Sequence, residues 1–347
     1  MKKSLILGVP LLFLVTGAIA QQSLFPDKTR LEALQHQPQW GGLRSACDAG
    51  LRLQSKPVVD FSPPPHYGPN GPEPTTDESP VPTLKRESLA VYRLALCFEI
   101  SKDPKYSSKA EGILDGWAAT TTKIGTDQGK DAFNFYFPYA LMGAYILRHD
   151  ANWSDQAFPT FVWKVVIPAN NAAKANNHAN WGVLLLAASG GYLDDPAILK
   201  QARSRWLELM RSQVAADGSL PLEICRSDTS DWCGGVTKGI KGMAYTHFTL
   251  EPTAIAAEIF QNEGMSVYST PEGQLLCKAY RRAAQWTLHP ETFPYFESNH
   301  GKLEGLDHVD YFYILQERCP NPDGAAVMIK YGAHTADPLD LRTLYGQ

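Results

Sequence analysis

The sequence predicts an all-α protein of stacked helical hairpins, and three observations carry that expectation. Apolar residues recur at spacings of three and four over most of the 347 residues, and runs alternating with period two are few. The stretches between the periodic segments hold Gly, Asn, Asp and Pro, the residues that end helices and make turns. A composition of 44% hydrophobic and 20% charged residues excludes a disordered chain, a collagen-like repeat and a disulfide mini-scaffold.

The elements follow in chain order. Met1-Lys2-Lys3, the apolar run from Ser4 to Gly17 and the small-residue end Ala18-Ile19-Ala20 have the layout of a secretory signal peptide. That run is shorter than the ~20 apolar residues needed to cross a bilayer. Cleavage after Ala20 and a periplasmic or secreted mature protein are therefore expected, with no later membrane segment and residues 21–347 as a single domain. Residues 56–83 are dense in Pro, Gly, Ser and Thr, which no helix interior tolerates. Within them 62–83 read as a stiff loop, with His66 and Tyr67 framed by prolines, of the kind that serves as a lid or binding loop. Helical spacing then covers Ser88–Ile100, Tyr106–Thr120, Ala132–Leu147, Phe158–Val166, His178–Ala188, Pro196–Val214, Pro252–Gln261 and Gly273–Trp286. The segment 132–147 is apolar nearly all round, as a buried helix is, with Pro138 a possible kink.

Charge and cysteines narrow the function classes. With 32 Lys plus Arg against 36 Asp plus Glu, the net charge of −4 argues against a nucleic-acid binder, which needs a broad basic surface. A local basic cleft for an anionic substrate remains compatible with it. All six cysteines lie in the exported part, where disulfides form. Several connectivities are open; pairing of neighbours (Cys47–Cys97, Cys225–Cys233, Cys277–Cys319) is the expectation, and the middle pair is best supported because it closes a short loop. There is no CxxC and no His/Cys group at zinc-ligand spacing, so a metal site is not expected.

Three segments carry chemistry. Asn176-Asn177-His178-Ala179-Asn180-Trp181 opens an apolar helix; one Asn suffices for an N-cap, and this site has three with a His and a Trp. Asp217-Gly218-Ser219-Leu220-Pro221-Leu222-Glu223-Ile224-Cys225-Arg226 reads on its own as a turn and a short extended piece. Lys238-Gly239-Ile240-Lys241-Gly242-Met243-Ala244-Tyr245-Thr246-His247-Phe248 reads as a glycine-rich entry to the helix near Pro252.

Taken together in that order, NNHxxW, DGSLPxExxR and AYxHF resemble the alginate lyase family of polysaccharide lyases, from roughly 57 to 312. The resemblance implies an (α/α) toroid, or incomplete α/α barrel of helical hairpins, around a cleft for an anionic polysaccharide, expected as a monomer. It implies that Asn177 neutralises the uronate carboxylate, that His178 and Tyr245 transfer protons, and that a cation upstream of Tyr245 supports the carboxylate or lowers the tyrosine pKa. Two departures stand out. Residues 227–237 look inserted between the LPxE segment and the tyrosine, leaving Arg226 and Lys238 as rival cations, with Arg226 preferred. The family's lid carries Lys-Tyr where this chain has His66-Tyr67, which leaves the specificity open between poly-mannuronate and glucuronan.

The chemistry needs those residue types. β-Elimination removes the proton on C5, next to a carboxylate, and expels the oxygen on C4; donors must offset the carboxylate charge as it develops enolate character. A base then takes the proton and an acid meets the leaving oxygen, a step that calls for no cofactor or metal. Neutral His178 suits a base; a phenol with an ordinary pKa of ~10 needs nearby cations to act as one. Trp181, one helical turn after His178, is expected to stack on sugar together with Tyr136, and Trp117 and Tyr311 are further aromatic candidates; His308 is expected to be structural. Two other readings compete. A glycoside hydrolase would need two carboxylates from among Asp115, Asp131, Asp217 and Glu223. A non-catalytic exopolysaccharide-binding protein would dispense with the proton donors altogether.

Overall fold

Helices form where the three-and-four spacing places them, and the chain's own start signals set several of their first turns. Ser79-Pro80, Asp103-Pro104, Asp195-Pro196 and Thr270-Pro271 each put a side-chain acceptor at the N-cap and a proline at the first helical position, where its missing N–H costs nothing. The computed structural model describes residues 24–35, 40–65, 67–68, 71–72, 79–151, 153–229, 231–332 and 337–346. The signal-peptide segment and His66 lie outside them, as does most of the 62–83 loop.

Helices α1 (Lys28–Leu34) and α2 (Trp40–Gly50) precede two two-residue strand pairs: β1 (Asp60–Phe61) parallel to β4 (Lys123–Ile124), and β2 (Tyr67–Gly68) antiparallel to β3 (Gly71–Pro72). Then come α3 (Pro80–Ser101), α4 (Pro104–Thr120), α5 (Asp127–Asp150), the short α6 (Phe158–Phe161), α7 (Asn177–Tyr192), α8 (Pro196–Gln213) and one-turn α9 (Pro221–Ile224). The series ends with α10 (Gly242–Asn262), α11 (Pro271–Leu288), α12 (Phe312–Arg318), α13 (Pro322–Tyr331) and α14 (Leu341–Tyr345).

The helices pack in two layers. In the inner layer α3 packs on α5, α5 on α7 and α7 on α10; α4 backs α3, α8 backs α7, and α11 backs both α8 and α10. This paired-helix arrangement is the α/α toroid. Inner helices have apolar neighbours on every side, which explains why α7 shows no polar face: His178 is its only residue that is not buried. Each fully buried Leu or Phe in such a layer contributes ~1.5–3 kcal/mol against the entropy of ordering the chain.

The three disulfides pair as expected: Cys47–Cys97 ties α2 to α3, Cys277–Cys319 ties α11 to the end of α12, and Cys225–Cys233 closes a short loop after α9. Three expectations change. α3 starts at Pro80, so residues 80–83 of the expected loop are its first turn, capped by Ser79. The segment after Phe161 widens into a π turn over Val162–Val166 and then tightens into a 3₁₀ turn over Ile167–Ala169. α10 starts at Gly242 and runs through Pro252, which places Tyr245 on a helix and not in an entry loop. The hydroxyls of Thr246, Thr249 and Thr253 donate to the carbonyls four residues back at 2.7–2.8 Å, supplementing the ladder that the proline interrupts.

Candidate active site

A cleft of about 400 Å³ opens where the inner helices begin. Gln128, Asp131 and Phe135 reach it from one face of α5, Asn177 and His178 from the first turn of α7, and Ala244, Tyr245 and Phe248 from the start of α10. Arg226 and His308 come from loops.

The polar wall is built at the N-terminus of α7. Asn176, at the N-cap, makes no side-chain cap bond; the Glu223 carboxylate of α9 fills that role, accepting from the Asn177 backbone N–H at 2.8 Å. The Asn177 amide Nδ2 donates to both oxygens of the same carboxylate at 3.2 and 3.0 Å, which leaves its buried Oδ1 without a partner among the described residues. Burial pushes the Glu223 carboxyl above the ordinary carboxylate range, although the Asn177 bonds and the nearby Arg226 and His178 pull the other way. Asn180, by contrast, is a buried bridge between helices: it donates to Thr253 and accepts from Gln213, at 2.9 Å each.

His178 faces Asp131, with Nδ1 3.0 Å from Oδ1. Asp131 also accepts from Asn171 at 2.6 Å and from Lys174 at 3.0 Å. Burial opposes ionisation of Asp131, but the bonds and charges of His178 and Lys174 outweigh it, and its carboxyl sits below the ordinary range. An ionised acceptor at Nδ1 fixes the proton of the neutral imidazole there and leaves Nε2 as the nitrogen that can take a proton.

Arg226 is buried, and its guanidinium lies 4.1 Å from the ring centroid of Tyr245. Lys238, the rival cation, is exposed, does not line the cleft and has its ammonium 5.6 Å from the Tyr295 ring. Other expectations are corrected as well. Trp181 lies on the face its spacing predicts, yet it is buried under the cleft floor, packed on Phe135 and Phe248 at 5.5 and 5.0 Å. Tyr136 does not line the cleft, because positions 128, 131 and 135 share one face of α5 and 136 is rotated off it; Phe135 lines it instead. Trp117 and Tyr311 are buried, hydrogen-bonded to Glu87 and His247. The backbone of Tyr67 pairs in β2, and its side chain lies outside the description, as does His66.

Gln128, which no sequence motif marks, and Phe248, which the third motif contains without a role, both line the cleft, and His308 lines it where a structural role was expected. Asp131 was visible only as a hydrolase candidate; counting back along a helical face from Phe135 would have found it. Of the four hydrolase carboxylates, Asp131 alone lines the cleft, and Glu223 is buried against Asn177. Among the described residues these carboxylates therefore do not form the flanking pair that glycoside hydrolysis needs. Among the described residues no three His, Cys, Asp or Glu side chains are placed to hold a metal ion.

A helical toroid whose cleft joins an amide, an imidazole, a guanidinium and a phenol has the makings of a polysaccharide lyase acting on sugar acids. The alginate lyase family model matches residues 23–293, and the chain belongs to that family. A polysaccharide lyase of Stenotrophomonas maltophilia is 23% identical over 76% of this chain and 77% of its own. An alginate lyase from Bacteroides ovatus matches in structure with a TM-score of 0.69 at 16% identity, over 94% of this chain and 99% of that one. Alginate lyase A1-III from Sphingomonas species A1 matches with a TM-score of 0.69 at 15% identity, over 92% and 93%; a Tyr-to-Phe variant of it has been solved in complex with a tetrasaccharide. The protein is thus a polysaccharide lyase.

Proposed function

We propose that the protein cleaves a β-1,4-linked polyuronide, poly-mannuronate or glucuronan, by syn β-elimination and leaves 4,5-unsaturated uronate ends. The observation that carries this reading is the placement of Arg226, Asn177, His178 and Tyr245 around one cleft. The Nε and Nη1 groups of Arg226 are buried with no hydrogen-bond partner among the described residues, so they are donors available to a uronate carboxylate. Asn177, anchored by Glu223, forms the polar wall beside them.

With the carboxylate charge offset, Tyr245 as phenolate takes the C5 proton, and His178, through Nε2, is the group that can receive the phenol's proton to prepare it. The C5–H electron pair becomes the C4=C5 double bond, the C4–O bond breaks, and the phenol returns its proton to the leaving oxygen. One tyrosine serves as base and acid because in β-mannuronate and β-glucuronate the proton and the leaving oxygen lie on the same side. Guluronate, the C5 epimer, presents its proton on the other face.

The test is incubation with separate poly-mannuronate, poly-guluronate, glucuronan and hyaluronan samples, followed by ultraviolet absorbance of the unsaturated product. Tyr245→Phe is expected to abolish turnover while oligosaccharide still binds. A Tyr245→Phe variant with substantial residual turnover would overturn the assignment, and binding without any absorbing product from wild type would favour a non-catalytic polysaccharide-binding protein.

A further inference from the structure

We propose that Trp232 and the Cys225–Cys233 loop are a positioning device for Arg226, an inference that rests on the lyase reading above. The guanidinium lies over two rings: that of Tyr245 of α10 at 4.1 Å and that of Trp232 of the loop at 4.6 Å. No hydrogen bond or ion pair holds it among the described residues, and Nε and Nη1 stay unpartnered. Arginine carries a long flexible stem, so something must hold its plane. Stacking does this without consuming N–H donors, whereas a carboxylate partner would take up the donors that a substrate carboxylate needs.

The loop is built to keep that register. Cys225 directly precedes Arg226 and Cys233 directly follows Trp232, so the disulfide ties together the residues just outside the stacked pair. One residue inside it, the Ser227 backbone N–H donates to the Trp232 carbonyl at 2.8 Å, and the Ser227 hydroxyl donates to the Asp231 carbonyl at 2.6 Å. Thr237 bonds back to Asp228 across the base of the segment. Trp232 itself is 52% exposed, an unusual place for so large an apolar side chain. It does not line the cleft, and one of its faces is occupied by the guanidinium, which favours a supporting role for the indole over stacking on a sugar. This stretch is part of the segment that departs from the family pattern, so the device belongs to this chain's own sequence.

The experiment compares wild type, Trp232→Ala, Trp232→Phe, Arg226→Ala and the Trp232→Ala/Arg226→Ala double variant on whichever polyuronide the wild type cleaves. A guanidinium displaced by about 1 Å predicts that Trp232→Ala lowers kcat ~10–100-fold. KM should change by less than ~3-fold, and Trp232→Phe, which keeps a ring face, should recover most of kcat. The double variant should be no slower than Arg226→Ala, because the tryptophan acts through the arginine. Should Trp232→Ala fail to fold, Trp232→Leu against Trp232→Phe makes the same comparison. A raised KM at unchanged kcat, a loss that multiplies with that of Arg226→Ala, or equal losses in the Phe and Leu variants would overturn the proposal while leaving the lyase reading intact. A wild type that yields no absorbing product from any of the polymers overturns both.

Discussion

Asp131 is the side chain on which the imidazole's protonation pattern depends. It faces His178 Nδ1 at 3.0 Å and is itself held by Asn171 and Lys174. Replacing it by Asn removes the charge that fixes the Nδ1 proton, so Asp131→Asn is expected to lower kcat ~10²-fold with little effect on KM, in a steady-state absorbance assay. The sign with pH follows from its lowered carboxyl: the pairing is complete above the ordinary carboxylate range and is lost as pH falls through the lowered value. At this scale the sequence revealed what was contiguous. Asn177-His178 and the Arg226 and Tyr245 segments are local motifs, whereas Asp131 enters the cleft only because α5 lies against α7. The readings that missed were matters of depth and rotation: Trp181 points inward but one layer too deep, and Tyr136 sits one step off the face that Phe135 occupies.

Where helices meet, the site depends on close backbone approach. A Cβ on Gly242, the first residue of α10, would come within 2.2 Å of the Ile224 carbonyl oxygen at the end of α9 and 2.6 Å of the Phe293 ring. A backbone carbonyl cannot swing aside, so Gly242→Ala must separate the element bearing Glu223 from the one bearing Tyr245. A stability loss of ~1–3 kcal/mol is expected in urea unfolding. A ~10-fold or larger fall in kcat is expected alongside it, from the displaced phenol. The long helices were legible because apolar spacing survives over many turns. The start of α10 was not, because two glycines and an internal proline suggest a loop, and only the packed structure shows Gly242 seated on α9. α12 to α14 were missed for a related reason: helices this short carry too few turns for periodicity to register.

For the whole molecule, the inner layer includes a histidine with no room for a second proton. His247 is buried between Tyr311 and Thr287; the Thr287 hydroxyl donates to the Ala283 carbonyl, so the imidazole Nε2–H donates to Thr287 and Nδ1 accepts from Tyr311. Burial, aided by the charge of His308, pushes its pKa down to about 3. An unfolded histidine titrates near ~6.5, so between those values the unfolded state binds more protons and stability falls as pH falls, by up to ~1.4 kcal/mol per pH unit. His247→Gln should flatten that slope between pH 7 and 4 relative to wild type, measured by urea unfolding at each pH. An equal slope in both would show that the imidazole does not contribute. The toroid itself was readable from pattern and resemblance, but the order of its layers was not, since which helix faces inward depends on partners far away in the chain. That dispersal has a consequence of its own. The cleft's walls come from positions between Gln128 and His308, so a chain cut short within α8 would own the imidazole and its carboxylate yet neither the guanidinium nor the phenol. Unfinished copies are blunt, and the cutting edge is assembled only once the later half has been made.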